Sequence, residues 1–218
     1  MFAITLFVGI YMLEAMLLFK PEEEDKIPNR AGVYAFLCNP FERSRLGLFR
    51  GDEQNQLKIQ NARAALKIKL SRLDGLKKNI ELQGGFVMKG GYSGGASSFS
   101  GILPRVFSPG SWADVDAMSD KEFVEYLEMA EKVFLILPAL YCGMTVCQGL
   151  RSRFLQHKRN YMQEEVGSFG GRLAYSDISW SDIRFLCVPI TSPSENENSV
   201  KVLEKHLLHL LAPVLSIK

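Results

Sequence analysis

Arg153 and His157 stand four residues apart in the segment 148–162, QGLRSRFLQHKRNYM, and on a helix that spacing puts them on one face. A permanently charged guanidinium beside an imidazole that titrates near neutrality suits phosphoryl transfer, because one holds an anionic oxygen while the other moves a proton. A solvated helix face is the plain structural alternative. The second informative position is Glu204. Turning about 100° per residue from Val200, Leu203, Leu207, Leu208, Leu210 and Leu211 fall in one arc of residues 199–212, with Lys201, Lys205, His206 and His209 opposite. Glu204 falls inside the apolar arc. An unpaired buried carboxylate costs several kcal/mol, so Glu204 requires a metal ion, an arginine such as Arg153 or Arg184, or a proton.

The elements that must position these side chains follow from pattern. Residues 31–38, AGVYAFLC, lie between Pro28 and an Asn39-Pro40 turn signal and read as a strand. Residues 134–145, FLILPALYCGMT, and 183–190, IRFLCVPI, read as buried strands. Residues 148–162 read as a helix with four cations and no acid to offset them, and 199–212 as a helix capped by Ser199 and stopped by Pro213. Between these, residues 52–82 space Ile59, Leu66, Leu73 and Ile80 by heptads, which predicts a long amphipathic helix weakened near Gly75. Residues 119–133 open on a Ser119 cap with Glu122 three positions on and predict a second, acidic helix. Glycines at 84–101 are too frequent for a helix, so that stretch reads as a loop or glycine-kinked hairpin.

With 218 residues and 47% apolar content, the chain is one ordinary domain with a core, not a disordered, fibrous or disulfide-stapled protein. Four cysteines with no CxxC read as buried reduced thiols, which places the protein in the cytoplasm. The first nineteen residues are almost continuously apolar, and Glu14 interrupts them. They lack the positive start and small-residue end of a cleaved signal, and a membrane anchor would carry a mid-span carboxylate at about 2.5 to 3.5 kcal/mol. They read as a buried or dimer-interface segment, joined through the acidic link Glu22, Glu23, Glu24, Asp25 to the rest. The net charge of only +2 hides an uneven distribution: residues 52–80 and 148–162 together carry +8, and the remainder carries −6. A polyanionic partner would therefore meet those two helices.

Gly32-Val33-Tyr34 after Pro28, Tyr141-Cys142-Gly143, Arg153 and His157 in LRSRFLQHK, and Glu204 followed by Pro213 occur in the order of the motifs of the GIY-YIG nuclease domain, which this chain resembles over residues 27–38 and 134–217. The literal string Gly9-Ile10-Tyr11 lacks the preceding proline turn, so the first motif is assigned to Tyr34. The resemblance implies an α+β fold: a small three-stranded antiparallel sheet flanked by helices, with residues 39–133 as a large, mostly helical insertion for DNA recognition or dimerisation. The chain departs from the family where a frequent lysine is Met144 and where a late asparagine is replaced around Ser216.

The implied activity is Mg²⁺-dependent (or Mn²⁺-dependent) endonucleolytic hydrolysis of double-stranded DNA, closest to the restriction branch of the family. A structure-selective repair or mobile-element nuclease is the neighbouring reading, and a non-cleaving nucleic-acid-binding or membrane-associated protein the reading from another class. By resemblance, Tyr34 would orient or deprotonate the attacking water, Tyr141 would position water or phosphate, Arg153 would bind the reacting phosphate, His157 would assist proton transfer, and Glu204 would hold the metal. Arg151, Lys158 and Arg159 would add backbone contacts to DNA. The long basic helix, with Lys58, Arg63, Lys67, Lys69, Arg72, Lys77 and Lys78 around its stripe, would meet DNA or pair with its copy. Double-strand cutting would favour a homodimer.

Overall fold

The computed structural model of the chain describes residues 3–4, 16–77, 81–87, 96–102 and 109–190, together with Val202, His206, Pro213 and Leu215. In chain order the elements are β1 (Ala3–Ile4), β2 (Met16–Phe19), β3 (Gly32–Cys38), α1 (Gln56–Lys77), β4 (Glu81–Val87), β5 (Ala96–Ile102), α2 (Pro109–Ala117), α3 (Asp120–Val133), β6 (Tyr141–Thr145), α4 (Leu150–Met162), α5 (Phe169–Tyr175) and β7 (Ile183–Pro189), with short 3-10 turns between. The fold is α+β. An antiparallel sheet runs in the order β1-β2-β7-β3-β6, and β4 and β5 form a separate two-stranded pair.

The central strand explains the layering. Side chains alternate along a strand, so β3 sends Tyr34, Phe36 and Cys38 to one face and Ala35 and Leu37 to the other. The first face is covered by α4 and α5 through Phe154, Phe169 and Leu173, with Trp180 beneath them. The second is covered by α1 and α3 through Ile59, Ala62, Leu66, Leu70, Phe123 and Leu127. The heptad positions Ile59, Leu66 and Leu73 of α1 thus pack inside their own chain. Asn55 begins α1, its side chain accepting the Lys58 amide at 3.1 Å, and Ser119 and Glu122 form the reciprocal capping box that the sequence predicts for α3.

Two expectations change, on residues 134–145 and on the number of strands in the sheet, and two are filled in. The buried strand expected over residues 134–145 is only Tyr141–Thr145: Phe134–Ile136 is a 3-10 turn closed by Leu137 N–H to the Phe134 carbonyl, and Pro138 next to it has no N–H for a ladder. Part of the glycine-rich stretch is a regular hairpin, paired from Glu81 with Ile102 to Val87 with Ala96. The acidic link is not a bare connector but a 3-10 turn, Pro21–Lys26, packed beside α4. The end of the apolar amino-terminal segment is an added strand: Leu17, Leu18 and Phe19 pair with Cys187, Leu186 and Phe185 of β7, extending the expected three strands. No helix among the described residues is long and apolar enough to cross a membrane.

Candidate active site

Strands β3 and β6 bring the two tripeptides side by side, Tyr34 opposite Gly143 and Phe36 opposite Tyr141. Gly143 creates the space for the Tyr34 ring, since a Cβ there would lie 2.8 Å from the Tyr34 hydroxyl oxygen and 3.0 Å from the Tyr141 ring. Helix α4 crosses this face of the sheet with Phe154 buried against Phe36, and the next turn lays His157 over the tyrosines. Tyr34 is 2% exposed and His157 4%; their polar atoms meet at 3.0 Å, Tyr34 Oη to His157 Nε2. From the preceding turn Arg153 donates its Nε–H to the same Tyr34 oxygen at 3.1 Å and an Nη1 hydrogen to Gln156 Oε1 at 2.6 Å.

Charge at this cluster follows from burial. Desolvation pushes the Tyr34 phenol well above its ordinary value, and Tyr141 adds to the shift while Arg153 opposes it. Desolvation also lowers His157 to about 3, with Arg153 and then Arg172 as further repelling cations. At neutral pH the site therefore holds a protonated phenol and a neutral imidazole. For Arg153, burial acts to lower the guanidinium, but Tyr34 and Tyr141 outweigh it and the net direction is up. In the tautomer with its proton on Nδ1, His157 accepts the Tyr34 hydroxyl, and one hydrogen-bond chain runs from Arg153 through Tyr34 to His157. The imidazole Nδ1 is buried with no hydrogen-bond partner among the described residues.

Tyr34, Tyr141, Arg153 and His157 are thus brought together. Glu204 lies outside the described residues, as do Ser216 and Lys78; Val202 and His206, both exposed, are helical there as the sequence predicts. Of its two alternative arginine partners, Arg184 is buried in an ion pair with Glu42, and Arg153 is engaged as above. The described groups at the site are phenols, a guanidinium and an imidazole. No group of three or more metal-ligating side chains stands among the described residues.

The basic side chains divide by environment. Arg151 pairs with Asp25 and Lys158 with Glu24 at 2.5 Å, so acids of the link do offset two of the four α4 cations, contrary to the helix read alone; Arg159 is exposed. On α1, Lys58 pairs with Asp52, Lys67 with Asp116, and Lys69 with the buried Asp182 at 2.6 Å. Arg63 donates to the carbonyls of Val115 and Met118, pairs with Asp120, and lies 4.3 Å over the Phe123 ring. Arg72 is exposed, and Lys77 is the last residue of α1.

The periodicity of residues 163–182 does not single out α5, yet this helix supports the site. Phe169 stacks on Tyr141 at 4.8 Å and stands edge-on to His157 at 5.5 Å. The approach needs Gly170, where a Cβ would meet the His157 carbonyl oxygen at 2.4 Å. The only sequence signal is the glycine pair Gly170-Gly171, which by itself reads as a turn. Three of the cysteines, Cys38, Cys142 and Cys187, are buried thiols raised by desolvation to about 12, 11 and 12, and Cys147 is exposed. No protein-family model matches the chain, no curated protein is significantly similar in sequence, and no solved structure is significantly similar in fold.

Proposed function

We propose that the chain is a metal-dependent DNA endonuclease of the GIY-YIG kind, closest to the restriction enzymes, with β3, β6 and β7 as its catalytic sheet and residues 39–133 as an insertion. The observation that carries this reading is the Tyr34 phenol held at 3.0 Å from His157 and 3.1 Å from Arg153, beside Tyr141 on the neighbouring strand.

Hydrolysis of a phosphodiester needs a water relieved of a proton as it attacks phosphorus and positive charge near the phosphoryl oxygens. Tyr34 is not a standing phenolate at neutral pH, because burial raises it. It accepts the water's proton only as it passes its own to His157 Nε2, ending as it began, while the bond from phosphorus to the leaving nucleoside oxygen breaks and that oxygen takes a proton from solvent. His157 is a weak base at rest, first because it is buried and then because Arg153 and Arg172 repel its proton, and a phosphate beside Arg153 would offset the cationic part of that depression. Arg153, already anchored on Tyr34, holds the reacting phosphate next to the phenol. Tyr141 fixes the water or the phosphate from the other side. Glu204 would hold a Mg²⁺ ion, which when bound would supply Lewis-acid stabilisation of the developing charge.

The test is incubation of the purified protein with plasmid DNA and Mg²⁺. Discrete fragments are expected for a restriction-type enzyme, and nicks or junction-dependent cuts would shift the reading to the structure-selective relatives. Glu204→Ala should abolish cleavage while leaving DNA binding largely intact, and undiminished cutting by that variant would sink the site assignment.

A further inference from the structure

Arg172 sits on α5 one turn after Phe169, the residue that stacks on Tyr141. Its guanidinium reaches in two directions. Nη1 donates to the Gly167 carbonyl at 2.5 Å, in the loop that leads into α5, and Nε donates to the Leu215 carbonyl at 2.9 Å. The amide of the same Leu215 donates to the Leu140 carbonyl at 2.8 Å, immediately before Tyr141. Leu215 packs against the aromatic cluster that includes Tyr34 and Phe154, and nearby Pro213 is buried. Arg172 therefore joins the α4–α5 loop to Leu215, and Leu215 in turn reaches Leu140 just before β6. Arg172 is also close enough in charge to act on His157 and to be acted on by Tyr141.

We propose that Arg172 is a positioning residue of the nuclease site, a two-carbonyl tie that fixes Leu215 against Leu140, the residue just before the Tyr141 strand, and holds α5, with Phe169, against Tyr141 and His157. The inference rests on the endonuclease reading for its catalytic consequence, though the tie itself does not. A guanidinium suits the task because its planar fork presents donors to two carbonyls at once, whereas an ammonium is a compact point charge on a flexible stem. Lysine at this position keeps the charge and loses the fork, so it separates the tie from the electrostatic effect.

The experiment compares wild type, Arg172→Lys and Arg172→Met. Amide hydrogen exchange at Leu215 in the DNA-free protein reads the tie: both variants should exchange at least tenfold faster there, with β3 amides unchanged. Cleavage kinetics read the consequence: kcat should fall at least tenfold in both while KM for DNA stays within about threefold. The pKa of His157, followed by NMR, should rise in Arg172→Met and stay low in Arg172→Lys. Unchanged Leu215 exchange in both variants would overturn the tie, whatever the enzyme does. A tenfold rise in KM at constant kcat would overturn the positioning role and make Arg172 a DNA contact. If wild type itself cuts no DNA while Leu215 exchange responds as expected, the endonuclease reading fails and the tie stands.

Discussion

In α1 four of the cations are turned onto groups of the same chain: Lys69 onto the buried Asp182, Lys67 onto Asp116, Lys58 onto Asp52, and Arg63 onto the carbonyls of Val115 and Met118 and onto Phe123. In α4 the one inward-facing cation, Arg153, meets a neutral phenol and an amide rather than a carboxylate. Both helices carry excess positive charge and both cover a face of one sheet, yet their environments differ in what they leave uncompensated. A lysine paired with a buried aspartate has its charge balanced and acts as a structural tie. A half-buried guanidinium whose partners are neutral keeps an uncompensated charge, which is what an incoming phosphate can use. Counting cations per helix therefore locates basic segments, but the partners decide which segment keeps an uncompensated charge.

The largest effects should separate the two helices cleanly. Arg153→Ala is expected to lower kcat for plasmid cleavage at least 10³-fold, about 4 kcal/mol of transition-state stabilisation, with little change in thermal midpoint. Lys69→Ala should do the opposite. Asp182 is 4% exposed, and removing one partner of such a pair strands a charge at a cost of about 3 kcal/mol. Urea titration reads that loss, and whatever variant remains folded should cut DNA normally. If Lys69→Ala were fully stable and catalytically dead, the division of labour between α1 and α4 would be reversed.

How much of this was legible in the sequence depended on whether a signal was periodic and local. The strand around Tyr34 and the stripe of α1 follow from spacing because burial imposes those periods, and the capping box of α3 because the free N–H groups of a helix start fix its spacing. The four residues that meet at the site were legible as motifs, and Arg153 and His157 also as an i,i+4 pair. Helix α5 was not, because two glycines in a short helix look like a turn until the close approach to the His157 carbonyl shows why they are there. The ties of Lys67 to Asp116 and Lys69 to Asp182 join residues far apart in the chain, and no local pattern reports such pairs. The added strand at Met16–Phe19 was hidden for another reason: a run that is apolar throughout has no period to tell strand from helix or interface.

A smaller effect distinguishes the two helices by acid. His157 on α4 is held neutral, lowered to about 3 from an ordinary value near 6.5. Between those values the unfolded chain binds a proton that the folded chain does not. Stability should therefore fall as pH drops from about 6.5 toward 3, by up to about 1.4 kcal/mol per unit from this group, and be independent of it above 6.5. Comparing wild type with His157→Gln by denaturant titration at pH 7, 5.5 and 4.5 isolates that contribution from the carboxylates. A wild-type slope no steeper than the variant's would mean that His157 is not sealed from solvent in the way its burial implies.

The mildest effects concern the rim of α4, where Arg151 and Lys158 meet Asp25 and Glu24 of the acidic turn. These pairs are partly exposed, and such pairs are worth about 0.2 to 1 kcal/mol each. On the proposed endonuclease reading, DNA approaching α4 would displace the two carboxylates before its phosphates could use the cations. Glu24→Gln with Asp25→Asn should accordingly tighten DNA binding about two- to tenfold at moderate salt. Arg151→Gln with Lys158→Gln should weaken it and reduce the slope of log K against log salt by about 1.8, at roughly 0.9 per phosphate contact. Fluorescence anisotropy across a salt series reads both. Should neutralising the acids weaken binding instead, the carboxylates would be holding Arg151 and Lys158 in place for DNA rather than competing with it, and the acidic turn would belong to the DNA surface that α4 presents.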